Sequence, residues 1–153
     1  MALSSSDEAE IPALLRAARA SYAQAVVARL AAAGIDDLPR NGAYVLGGMA
    51  SRRGAASEMI GGLGVTKQAV SQLIDTLALR GYLTRELDPA DRRRMTVELT
   101  ERGRAAAVAI RAAVEEVDAE LARMITPAEL AGLRAGLAAL ARRKGHTEPV
   151  APQ

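Results

Sequence analysis

The chain contains no cysteine, no phenylalanine and no tryptophan, and its single histidine is His146 near the end of 153 residues. Without cysteine there is no disulfide, no thiolate nucleophile, no iron–sulfur ligation and no thiol redox sensor. One histidine cannot supply a His-rich zinc site. Tyr22, Tyr44 and Tyr82 are the only aromatic residues, so the core has to be built from Leu, Ile, Val, Met and Ala, which suits close-packed helices. Long apolar runs are missing too: none approaches the roughly 18 residues of a membrane span. Residues 1–10 are acidic and polar, so no signal peptide is expected and the protein is expected to be cytoplasmic. There is no glycine phosphate loop, no nucleophile–base–acid set and no metal cluster. The glycines at 47, 48, 54, 61, 62 and 64 lack the strand and G-x-G-x-x-G spacing of a dinucleotide site. The expectation is therefore a protein that is not an enzyme and takes no cofactor and no metal.

Half of the residues are hydrophobic and a quarter are charged, a composition that folds rather than staying disordered. The length fits one domain with extensions. Only Lys67 and Lys144 are lysines, so 18 of the 20 cations are arginines. The net charge of +2 is unevenly spread: residues 51–104 carry +3, residues 1–50 carry −1, and residues 105–153 are neutral. The excess of cations falls in the middle of the chain.

Apolar residues at 11, 15, 18, 22, 26 and 30 predict a helix over 11–33, ended by Gly34. A second helix is expected over 40–51, weakened by Gly42, Gly47 and Gly48. A turn at 52–54, a short helix over 56–61 and a connection at 62–64 follow. Thr66 opens a clearer helix that ends near Arg80-Gly81. The period then changes to alternation over 82–87 and 95–99, which predicts a hairpin with a polar, basic tip. Thr100 can cap a helix running to about residue 125, with Ile110, Val114, Val117, Leu121 and Met124 on one stripe. Thr126-Pro127-Ala128-Glu129 has the signature of a capping box with proline at the first helical position, and Leu130, Leu133, Leu137 and Leu140 follow on one face.

The helix beginning at Thr66 carries the clearest chemical signal. At about 100° per residue, Val70, Leu73, Ile74 and Leu77 share one face, and Lys67, Gln68, Ser71, Gln72, Asp75 and Thr76 the other. Lys67 can neutralise a phosphate; Gln68, Ser71 and Gln72 can reach base edges, glutamine pairing with adenine through two hydrogen bonds. The N–H groups at the start of a helix favour phosphate oxygens. A short helix, a turn, this helix and a hairpin together make a winged helix. Arg92, Arg93 and Arg94 stand consecutively at the hairpin tip, where mutual repulsion brings nothing to a core. They are placed to enter a minor groove. Asp91 can pair with a neighbouring arginine and shape the loop.

The run 64–77, followed by Arg80-Gly81-Tyr82-Leu83, resembles the recognition helix and following strand of MarR-family transcription regulators. The run from Asp88 to Gly103 is similar to that family's wing and the start of its next helix. The resemblance implies a mainly α fold with a small β-hairpin wing. Its domain plan would be a flexible start (1–10), an N-terminal dimerisation helix (11–36), a winged helix-turn-helix domain (37–100), C-terminal dimerisation helices (101–144) and a flexible tail (145–153). It implies that Thr66, Lys67, Gln68, Ser71 and Gln72 meet the major groove, that Arg93 enters the minor groove beside Arg92 and Arg94, and that Asp91 structures the wing.

The expected function is a homodimeric repressor that reads a pseudo-palindromic duplex and is released by a small, anionic or phenolic ligand. Such a bacterial protein is cytoplasmic, and nucleoid-associated when bound to DNA. The family's ligand cleft would fall near Arg16, Arg19, Tyr22, Tyr44 and Met49. The absent cysteine and lone histidine exclude thiol and metal sensing. A second reading is a winged-helix protein-interaction module that does not read DNA. The basic wing and the Gln68–Ser71–Gln72 face argue against it.

Overall fold

A computed structural model describes residues 10–51, 66–87 and 95–142. Its elements are α1 (Ile11–Ala32), α2 (Gly42–Ala50), α3 (Lys67–Leu79), β1 (Leu83–Leu87), β2 (Met95–Leu99), α4 (Glu101–Met124) and α5 (Pro127–Arg142). The expected short helix over 56–61, the hairpin tip 88–94 and the two chain ends lie outside the described residues. The mainly helical fold with one small antiparallel hairpin is that of a winged helix, as the patterning predicts. Leu83 pairs with Leu99 at the root of the hairpin and Leu87 with Met95 toward its tip. The chain divides within α4 into two compact units, one reaching Glu115 and the other starting at Glu116.

Two helices end by the same device. Gly34 and Gly81 both adopt left-handed backbone (φ 71° and 75°), where a Cβ would be strained. After α1, Gly34 N–H donates to Ala31 and Ile35 N–H to Leu30 (2.9 Å); after α3, Gly81 N–H donates to Ala78 and Tyr82 N–H to Leu77 (2.9 Å). Each is a Schellman closure, and each brings the residue beyond the glycine against an apolar residue of the last turns. All four apolar partners (Leu30 with Ile35, Leu77 with Tyr82) are buried. The second closure turns the chain from α3 into the hairpin.

α2 starts at Gly42, two residues later than the sequence pattern predicts. Asn41 is the cause: its φ of 65° is left-handed and cannot continue a right-handed helix. Two glycines of α2, Gly42 and Gly47, serve packing. A Cβ on Gly42 would lie 3.2 Å from Leu77 of α3, and one on Gly47 would lie 3.3 Å from Ile110 of α4. The core of the first unit joins Leu30 and Ile35, Val45 and Leu46 of α2, Val70, Ile74 and Leu77 of α3, Tyr82 and Leu83 of the hairpin, and Ala106, Ala107 and Ile110 of α4.

The stripe predicted for α4 is only partly the buried one. Ile110 is buried, but Val114 is 36% and Met124 73% exposed. The buried face is instead Gly103, Ala106, Ala107, Ile110 and Ala113, small residues that admit close approach. The stripe of α1 also divides. Ile11, Leu14 and Leu15 are exposed, whereas Leu30 is in the core. In the second unit, Leu133, Leu137 and Leu140 of α5 are exposed.

The predicted capping box at the start of α5 is formed. Thr126 N–H and its hydroxyl both donate to Glu129 Oε2 (2.8 and 2.7 Å), and Glu129 N–H donates to Thr126 Oγ1 (3.3 Å). The donation from the Thr126 backbone, and then from its hydroxyl, holds the Glu129 carboxyl below the usual carboxylate range. Such a shift stabilises the helix start above the ordinary carboxylate pKa and is lost as the pH falls through the lowered one. Thr126→Ala should destabilise α5 by about 1 kcal/mol, measured as faster amide exchange confined to its first turns.

Candidate nucleic-acid interface

Thr66 is the N-cap of α3, its Oγ1 accepting from Ala69 N–H at 3.2 Å. Its hydroxyl therefore shapes the start of the helix. Lys67 is the first helical residue. Gln68, Ser71 and Gln72 are exposed together on the first two turns, while Val70, Ile74 and Leu77 on the opposite side are buried. The amphipathic division read from the sequence is thus realised, and the polar face is backed by a fixed apolar one. Thr76 belongs less to that face: it is half-buried and its hydroxyl donates to the Gln72 carbonyl at 2.8 Å.

Arg92, Arg93, Arg94 and Asp91 lie outside the described residues. The strands that carry the tip are placed, and β1 is tied to α3 by an ion pair between Arg85 Nη2 and Asp75 Oδ1 at 2.5 Å. Both side chains are largely exposed, so the pair contributes little to stability; it joins the hairpin to the middle of the helix. Helical periodicity puts Asp75 on the exposed face but does not reveal its partner, which lies ten residues away on another element.

A second cluster is equally invisible to periodicity. Tyr82 Oη donates to Asp37 Oδ1, and Arg102 Nη2 donates to the same oxygen at 2.9 Å. The guanidinium of Arg102 lies over the Tyr82 ring, 4.3 Å from its centre, a cation–π arrangement. Arg102 Nη1 donates to the Arg80 carbonyl, and Arg80 Nη1 donates to the Asp37 carbonyl. The hydrogen bond from Tyr82, followed by Arg102, holds the Asp37 carboxyl below the usual carboxylate range. Burial, followed by the hydrogen bond to Asp37, pushes the Tyr82 phenol up to about 12. The one signal for it in the sequence is the position of Tyr82, an aromatic residue immediately after the helix-ending Gly81.

The residues expected near a ligand cleft are dispersed in character. Arg16 and Arg19 are exposed on α1, Tyr22 is half-buried, Tyr44 is 49% exposed on α2, and Met49 packs against the core. Among the described residues, no three His, Asp or Glu side chains are grouped to hold a metal ion. No described helix is long and apolar enough to cross a membrane.

A polar helix face backed by core and leading through one glycine into a hairpin defines a winged-helix protein. Residues 37–94 match the sequence model of the MarR family. Among solved structures, the chain is similar to a MarR family transcription regulator (23% identity, TM-score 0.68, covering 88% of this chain and 85% of that one). It is also similar to MepR of S. aureus in a MepR–DNA complex (19%, TM-score 0.67, 86% and 94%). MepR bound to ethidium bromide is a further match (22%, TM-score 0.55, 88% and 96%). No curated protein matches the sequence. The likeness to these structures is one of fold, and the sequence likeness to the MarR family is confined to residues 37–94.

Proposed function

We propose that the chain is a sequence-specific DNA-binding transcription regulator, a homodimeric repressor that a small molecule releases from its operator. The observation that carries this reading is the exposed Gln68–Ser71–Gln72 face, held rigid by buried Val70, Ile74 and Leu77 and followed directly by a hairpin whose tip bears three arginines. The start of α3 enters the major groove, with Lys67 and helix N–H groups on phosphates and the glutamines on base edges. The wing arginines take the neighbouring minor groove, and Asp91 shapes their loop.

The exposed apolar residues of α1 and α5 support dimerisation, because such stripes need a partner surface. A two-fold dimer reads half-sites about one helical turn apart. MepR, a protein of the same fold, has been captured with ethidium bromide, which supports a small-molecule site in this architecture. Here the residue types of Arg16, Arg19, Tyr22, Tyr44 and Met49 favour an anionic or phenolic effector.

Selection of bound fragments from genomic DNA with the purified protein tests the reading. A pseudo-palindrome with half-sites one turn apart is the expected product, and enrichment of no sequence overturns it. Light scattering should give about twice the 16.0 kDa of one chain; a monomer at micromolar concentration removes the two-fold operator.

A further inference from the structure

We propose that Asp37, acting through Tyr82, Arg102 and Arg80, is a positioning residue that locks the recognition helix α3 to the root of the wing, so that both address DNA as one rigid unit. This rests on the DNA-binding reading above and adds a role for residues distant from the reading face.

Asp37 joins four segments, through its carboxylate to Tyr82 and Arg102 and through its backbone carbonyl to Arg80. Asp37 lies in the connection between α1 and α2, Arg80 is the C-cap of α3, Tyr82 opens the hairpin, and Arg102 is in the first turn of α4. Tyr82 and Arg102 both donate to Asp37 Oδ1, Arg80 donates to its carbonyl, and Arg102 closes the ring on the Arg80 carbonyl. The Asp37 and Arg102 side chains remain 39% and 43% exposed. An ion pair so exposed adds little to stability, and Leu77, Tyr82 and Leu83 are already part of the buried core. What it does fix is direction.

Only Arg80, Gly81 and Tyr82 separate α3 from β1, and the left-handed φ of 75° at Gly81 makes it the pivot between the two reading elements. Gln68 stands twelve residues from Arg80, about 18 Å along the axis. A 10° swing at the pivot therefore moves the reading face by about 3 Å. That is several times the roughly 0.5 Å within which a binding constellation must be held. The protonation states suit the lock. At neutral pH Asp37 is the carboxylate and Tyr82 the phenol, and the two shifts widen the pH range over which that pairing holds.

The test compares wild type with Asp37→Asn and Tyr82→Phe, each alone and combined with alanine at Arg92, Arg93 and Arg94. Melting temperature is measured beside affinity for the selected operator and for random duplex. The expected result is a melting temperature within about 4 °C of wild type. Operator affinity should fall about tenfold, comparable to one bidentate base contact, with affinity for random duplex unchanged. In the background with alanine at Arg92, Arg93 and Arg94 the same substitutions should have little further effect, because the wing no longer brings its contacts to DNA. Tyr82→Phe keeps the ring in the core and carries the test should Asp37→Asn not fold. Unchanged operator affinity, or an equal loss with and without the wing arginines, overturns the lock. Failure of the wild type itself to prefer the operator would instead defeat the DNA-binding reading.

Discussion

Gly103→Ala should strongly destabilise the first compact unit. A Cβ at this position would stand 2.0 Å from the Tyr82 carbonyl oxygen and 3.2 Å from Leu99 Cδ2. The carbonyl cannot simply move aside. It accepts from Thr100 N–H at 3.1 Å, and the Tyr82 N–H is committed to Leu77 at 2.9 Å. The helix cannot move either, because Gly103 N–H donates to Thr100 Oγ1 at 3.0 Å and the Ala106, Ala107 and Ile110 face is already packed. Overpacking usually costs about 1–3 kcal/mol and more where backbone must shift. Here the loss should be at least about 3 kcal/mol, a large part of a domain's total stability. Urea unfolding of Gly103→Ala beside Gly132→Ala gives the contrast. Gly132 lies in α5 with nothing within 4 Å of its missing Cβ, so its substitution should stabilise that helix by about 0.5–1 kcal/mol. A Gly103 variant as stable as wild type would mean that α4 does not pass Tyr82 this closely.

The second large effect concerns DNA. Replacing Arg92, Arg93 and Arg94 together with alanine should leave the fold nearly unchanged, within about 0.5 kcal/mol. It should nevertheless reduce the slope of log affinity against log salt by about 2–3 for each wing that loses its phosphate neighbours. Gln68→Ala or Gln72→Ala should behave differently. Each should cost about 1–3 kcal/mol of base discrimination at one operator position, with the salt slope unchanged. Fluorescence anisotropy across a salt series separates the two patterns. A triple arginine variant with the wild-type slope would take the wing out of the interface.

Elements written in local pattern are legible in the amino-acid sequence itself. The period of α3, the alternation of the strands, the glycine stops at 34 and 81 and the capping box at 126–129 depend on residues within four or five positions of each other. What periodicity does not reveal depends on distance along the chain. Asp37, Tyr82 and Arg102 are 45 and 65 residues apart in their pairings, and Asp75 meets Arg85 only because Gly81 reverses the chain. The buried face of α4 escapes the pattern for another reason. Alanine and glycine carry too little apolar weight to register as a stripe, yet small side chains let α2 and the hairpin approach the helix. The exposed polar face of α3 is legible in full at Gln68, Ser71 and Gln72. For Thr66, the structure gives the hydroxyl a capping partner at which the spacing only hints.

The most direct measurement is the affinity of the purified protein for the selected duplex and for a scrambled one of equal length, at about 50 and 200 mM salt. A dimer bringing Lys67 and Arg92–Arg94 from each protomer to the backbone should bind both duplexes less tightly as salt rises, by about 10³–10⁵ over that range. At each salt concentration it should prefer the selected duplex by at least about 10³. Equal affinity for the two duplexes, or affinity indifferent to salt, would contradict a protein that reads DNA with the exposed face of α3 and a basic wing.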